Sequence, residues 1–149
     1  MLGRTHFFIG TAAALAVLQP QTVPVLVTGA GAAAIGSLIS DIDVGTSQAH
    51  RDADKIITAT VAVAALTILA EYKLNLGIYR RLTSDSNILR LLAGTAAFLL
   101  LCAYGKQQPH RSFMHSFAAL ALLTACVDII YPDASAYFAV GFLSHLVLD

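Results

Sequence analysis

The stretch Val23-Pro24-Val25-Leu26-Val27-Thr28-Gly29-Ala30-Gly31-Ala32-Ala33-Ala34-Ile35-Gly36-Ser37-Leu38-Ile39-Ser40, followed at once by Asp41-Ile42-Asp43, decides how this chain is read. It carries no charge until Asp41 and approaches the roughly 20 apolar residues that a helix needs to cross a bilayer. It lacks the apolar/polar alternation of a membrane β-strand. A helix is then the one backbone form that satisfies its own amides in lipid. Glycines and alanines at spacings of four let another helix come close, although small residues are common in membrane helices generally. On either reading the segment packs against protein.

Five further apolar runs flank it, at 7–19, 56–72, 88–104, 113–131 and 134–148. Pro20 and Pro24, the polar stretch 41–55, residues 83–87, residues 105–109 and Pro132-Asp133 punctuate them. The expected fold is all-α: a polytopic membrane bundle of about six apolar helices, some short, forming one metal-binding domain over 1–149. Composition points the same way. The 149 residues are 57% hydrophobic and 12% charged, with a mean hydropathy of +0.72. Soluble domains carry about 25% charged residues. A soluble chain of this size would still expose about a third of its unfolded surface. A formal net charge of zero gives no argument for nucleic acid. Cys102 and Cys126 lie inside apolar runs and read as small hydrophobes. Arg4 ahead of residues 7–18 resembles a signal peptide, but no small-residue cleavage motif precedes Gln19-Pro20-Gln21, so a retained membrane segment is expected.

Six crossings would put His6, Asp41, Asp43, His110, His115, His145 and Asp149 on one side. Arg4, Arg51, Lys55, Lys106 and Arg111 share that side, against Lys73, Arg80, Arg81 and Arg90 on the other. That balance does not fix orientation by the positive-inside rule; the polar side is read as cytoplasmic, in a multi-pass plasma-membrane protein.

Asp41 and Asp43 close the second segment, where the helix dipole disfavours carboxylates and a cation would compensate. At i and i+2 they diverge on a helix and can converge only where it unwinds. Their oxygens suit Mg²⁺ or Mn²⁺, or Zn²⁺ beside imidazole; solvated aspartates at a helix end are the plain alternative. Pro109 suits the first turn of a helix, which would place His115 about a turn and a half deep, on one face with Arg111 and Ser112. A hydrogen-bonded histidine is the alternative there. His145 and Asp149, at i and i+4, can reach one ion, or the aspartate can orient the imidazole. His6 alone means little, and His50 sits in a mixed-charge loop that reads as solvated surface. Collected in one layer beside lipid, where charge is costly, His6, Asp41, Asp43, His115, His145 and Asp149 read together as a metal site for one or two divalent ions, zinc first, with Mn²⁺ and Mg²⁺ as alternatives.

An early histidine, Asp41-Ile42-Asp43 after a small-residue helix, His110-Arg111 with His115-Ser116, and Gly141 with Ser144-His145 and Asp149 resemble the YdjM-like family. That family comprises bacterial inner-membrane proteins described as metal-dependent hydrolases, with a LexA-regulated member. The resemblance spans almost the whole chain. It implies a membrane-embedded, metal-binding hydrolase. This chain departs from the family pattern at Val44, where a histidine usually follows the second aspartate and for which His50 is a substitute. Ser112 and Met114 stand where the family has glycine and threonine.

The expected function is therefore metal-dependent hydrolysis of a phosphoester in a lipid or lipid-like substrate at the membrane interface. Arg111 would grip the phosphate, Ser112 and Ser116 would donate hydrogen bonds, and His110 would act as general acid or base. The alternative is a non-enzymatic membrane scaffold or regulator, or a cation transporter. The bilayer is the one expected partner besides a lipid substrate, and no feature specifies an oligomeric state.

Overall fold

A computed structural model describes residues 3–43, 88–109 and 112–148, together with 58, 62, 65–66, 69–77 and 80. His110, Arg111 and Asp149, and likewise Val44 and His50, lie outside the described residues, as does the side chain of Asp43. Among the described residues all regular structure is helical. In chain order these are α1 (Gly3–Leu18), α2 (Val23–Ile39), the 3₁₀ turn η1 (Ser40–Asp43), α3 (Ile88–Gln107), α4 (Phe117–Ile130) and α5 (Pro132–Leu148).

The all-α class expected from the sequence holds. Among the described residues one helix is long and apolar enough to cross a bilayer on its own, the 20 residues Val23–Ile42, about 30 Å long; most of the expected segment 56–72 lies outside the described residues. Thr5–Leu18 and Phe117–Ile130 are apolar but shorter.

Local chemistry sets the boundaries. Gln19 turns out of α1 at φ 42°, and Pro20 cannot continue a helix. Thr22 caps α2, its side chain accepting from the Val25 amide at 3.4 Å, with Pro24 in the first turn, where a missing N–H goes unnoticed. Pro132 opens α5 in the same way, and Asp133 faces its positive end.

One boundary corrects the sequence reading. The fifth segment does not start its helix at Pro109, and His115 is not a turn and a half deep. Residues 112–116 form turns, and α4 begins at Phe117. The Ser112 hydroxyl donates to the Pro109 carbonyl at 2.6 Å. The Ser116 hydroxyl donates to the Phe113 carbonyl at 2.6 Å and accepts from the Ala119 amide at 3.1 Å. Such side chains offer the backbone partners that compete with a helix, and here they win over the preference of Pro109 for a first turn. His115 is left at the threshold of α4, immediately before its cap.

The helices pair with a simple register. Gly29 lies against Tyr137, Gly141 against Ala33, and Ser37 is bonded to His145. Each of these pairs is 108 residues apart, so α2 and α5 run parallel. A Cβ on Gly36 would strike the Phe138 carbonyl, and one on Gly141 the Ala33 carbonyl. Only glycine lets the two backbones touch here. α1 runs antiparallel to both, with Gly10 against Ser37 and Ser144 and Ala14 packed with Ala33 and Tyr137. α3 and α4 are also antiparallel, Gly94 meeting Ile129 and Ile130 while Gly105 meets Met114. Phe138 and Phe142 of α5 pack with Ile39, Cys102, Met114, Ala119 and Leu123 to close the core.

This topology brings the start of α1, the start of α4 and the ends of α2, α3 and α5 to one end of the bundle. The outer surface stays apolar: Leu100 is 70% exposed, Phe117 73% and Val147 75%. A surface of that kind matches lipid rather than water. Adding one methyl at the backbone contact, Gly141→Ala, should lower stability by about 1–3 kcal/mol, read as an earlier unfolding transition in detergent. Leu100→Ala on the lipid-facing surface should change it by less than about 0.5 kcal/mol.

Candidate metal centre

Ser37 is among the last four residues of α2, whose carbonyls have no amide partner within their own helix. The orphaned Ser37 carbonyl lies 2.9 Å from Nδ1 of His145. A carbonyl can only accept, so His145 Nδ1 carries the proton and donates it. In the neutral ring Nε2 is then a bare lone pair. His145 is fully buried, as is His6 at 1% exposure. The two rings stack at a centroid separation of 4.2 Å, tilted by 35°. One hydrogen bond and one stacked ring therefore fix where Nε2 points.

It points at two other candidate ligand atoms. Asp41 Oδ1 is 3.4 Å away and His115 Nε2 is 3.4 Å away. Ligand atoms of Asp41, His115 and His145 all lie within 4.8 Å of one another. Separations of 3.4 Å exceed the 2.7–3.2 Å of a good N–H···O hydrogen bond, stated as an approximate range. They match the edge of a tetrahedral zinc site, about 3.3–3.4 Å for bonds of about 2.0–2.1 Å. A bare Nε2 on His145 and the carboxylate oxygen of Asp41 repel unless a positive charge stands between them. The donor set of two imidazoles and a carboxylate, with one imidazole oriented from behind by a carbonyl, therefore fits a divalent cation.

Each member is placed by its element. Asp41 sits in η1, at the negative end of α2, and its side chain is 25% exposed. His145 is in the last turn of α5, where a positive or metal-bound ring complements the dipole. His115 is held by the turn that Ser116 caps.

Of the residues singled out from the sequence, Asp41, His115 and His145 come together as the trio. His6 stands behind His145, ring against ring, outside the trio. Ser116 has one hydroxyl proton, which goes to Phe113, so its hydroxyl holds the start of α4. Ser112 is exposed and bonded to Pro109. Asp43 belongs to η1 by its backbone. Ser37 was not foreseen. Its signal was the shared four-residue spacing of Gly29, Ala33 and Ser37 with Tyr137, Gly141 and His145, visible once the helices are paired.

The tautomer is directly testable. In chain labelled with ¹⁵N-histidine, freed of metal and held above neutral pH, His145 should show a protonated Nδ1 and a bare Nε2, assigned by comparison with His145→Gln. Zinc should shift the Nε2 resonance and leave Nδ1 protonated. A proton found on Nε2 instead would contradict the arrangement.

Among curated proteins and among solved structures nothing matches the chain. A family model described as YdjM inner membrane protein matches residues 1–149, end to end. Its description places the chain in the inner membrane and names no reaction. The chain belongs to the YdjM inner membrane protein family.

Proposed function

We propose that this chain is a multi-pass, single-domain, metal-dependent hydrolase that cleaves a phosphoester of a lipid or lipid-like substrate at the membrane interface. The observation that carries the reading is the His145 ring, fixed so that its bare Nε2 faces Asp41 and His115. Asp41, His115 and His145 would hold the ion, zinc first, with Mn²⁺ or Mg²⁺ as alternatives. His6, Asp43 and Asp149 are proposed to complete its surroundings, or to serve a second ion. A bound divalent cation supplies Lewis acidity and a water acidified towards neutrality.

The remaining work falls to the chain. Arg111 is proposed to grip the phosphate oxygens in the bidentate manner that suits a guanidinium. His110 is proposed to move the proton, since an unperturbed imidazole titrates near neutral pH. Ser112, exposed beside them in sequence, donates to the substrate when it exchanges the Pro109 carbonyl for a better acceptor. Ser116 keeps the His115 turn in place. The site lies at the ends of the helices, which suits a headgroup substrate on the proposed cytoplasmic side.

Elemental analysis of the purified protein should find one or two divalent ions per chain, lost in the His115→Ala, His145→Ala double variant. Hydrolysis across a panel of lipid phosphates should stop with a chelator and fall at least about a hundredfold in that variant. Metal kept undiminished in the double variant overturns the site. Hydrolysis indifferent to chelator overturns the mechanism, and a metal-bound chain that hydrolyses nothing favours the scaffold reading.

A further inference from the structure

Ser40 is fully buried, and its hydroxyl is a buried polar atom with no hydrogen-bond partner. That is unusual, because a buried hydroxyl left unpaired is destabilising and nearly all find a partner. The serines around it are satisfied: Ser37 donates to the Ala34 carbonyl at 2.8 Å and Ser144 to the Gly141 carbonyl at 2.7 Å. Ser40 therefore differs from Ser37 and Ser144.

Its position gives the unused hydroxyl a meaning. Ser40 is the first residue of η1 and adjoins Asp41. It follows Ser37 by three residues, so Ser37, Ser40 and Asp41 share one side of the end of α2. The two neighbours on that side both engage His145, one through its carbonyl and one through its carboxylate. Gly36, one turn before Ser40, touches the backbone of α5 at Phe138 and Phe142, which directs this side of α2 towards the helix that carries His145.

We infer that Ser40 is an oxyanion-binding residue of the site, its hydroxyl donating to an oxygen of a phosphate group held at the cation. The inference rests on the metal-centre reading above and adds to it a ligand class and a residue. Asp41 and the two imidazoles offer lone pairs, so an anion arriving at the trio meets no donor from them. A hydroxyl supplies one without adding charge. The ligand chemistry is a phosphate oxygen, from a lipid headgroup or from free phosphate.

Cobalt(II) replaces zinc in such sites and reports ligand exchange through its visible spectrum. The full chain in detergent, loaded with cobalt, is titrated with inorganic phosphate and separately with dihexanoyl phosphatidic acid. In Ser40→Ala the cobalt stoichiometry and starting spectrum should stay as in the unaltered chain, while the phosphate response weakens about tenfold or more, the loss of one hydrogen bond to a charged acceptor. Tighter binding of the phosphatidic acid assigns the ligand to a headgroup, and tighter or equal binding of inorganic phosphate assigns it to the free ion. The metal-free Ser40→Ala chain should unfold at a higher temperature, because a buried unpaired group is gone. An unchanged phosphate response, or a drop in both stability and cobalt affinity, overturns the role of Ser40. Absence of any cobalt spectrum in the unaltered chain overturns the metal centre itself and the inference with it.

Discussion

The hydrogen bond from His145 to the Ser37 carbonyl exists because two parallel helices lie backbone against backbone. Gly36 and Gly141 leave no Cβ between them, and any larger residue would push α2 and α5 apart by the width of a side chain. At such a distance the Nδ1 atom could not span 2.9 Å to the carbonyl. The ring would be free to turn, and its other nitrogen would have no fixed direction. A packing rule for membrane helices thus becomes a rule about which imidazole nitrogen is bare. Gly10 extends the same logic to α1, bringing His6 close enough to stack on His145 from behind.

At the end of the bundle that carries the trio, α2, α3 and α5 finish while α1 and α4 begin, so negative and positive helix ends share the layer and offset one another in part. Asp41 adds a full negative charge to the end where it is least welcome. Lys106, in the last turn of α3, answers part of that potential from an exposed position. Within the trio, cationic charge must come from a proton or from a bound ion. Separations of 3.4 Å are long for a shared proton and natural for ligands around a metal.

The layer itself was legible in the sequence. Apolar runs separated by proline and glycine gave helices whose alternating direction brought His6, Asp41, His115 and His145 to one side. That parity does not depend on each helix being long enough to cross a bilayer alone. What the sequence concealed was local. Pro109 prefers the first turn of a helix, yet Ser112 and Ser116 each offer a hydroxyl to nearby carbonyls, and the sum of these short-range bonds moved the start of α4 to Phe117. Asp41 and Asp43 looked equivalent as text. The contact of Asp41 with His145 depends on how η1 continues α2, and no spacing reveals it. The partnership of Ser37 with His145 joins residues 108 apart through a backbone atom, which a reading of side-chain types does not see.

Depth separates the proposed reading from its rivals. A carrier of cations needs polar groups near the middle of the bilayer, where the ion must pause during passage. Here the middle of the bundle is Ala33 against Gly141 and the phenylalanines of α5, closed and apolar. The polar residues stand within about one turn of the helix ends, where His6 and His145 are shielded and Asp41 keeps contact with solvent. Such a level receives water from one side and headgroups from the other. The carbonyl and the stacked ring leave the remaining nitrogen of His145 directed at Asp41 and His115, the arrangement on which the proposed metal centre rests.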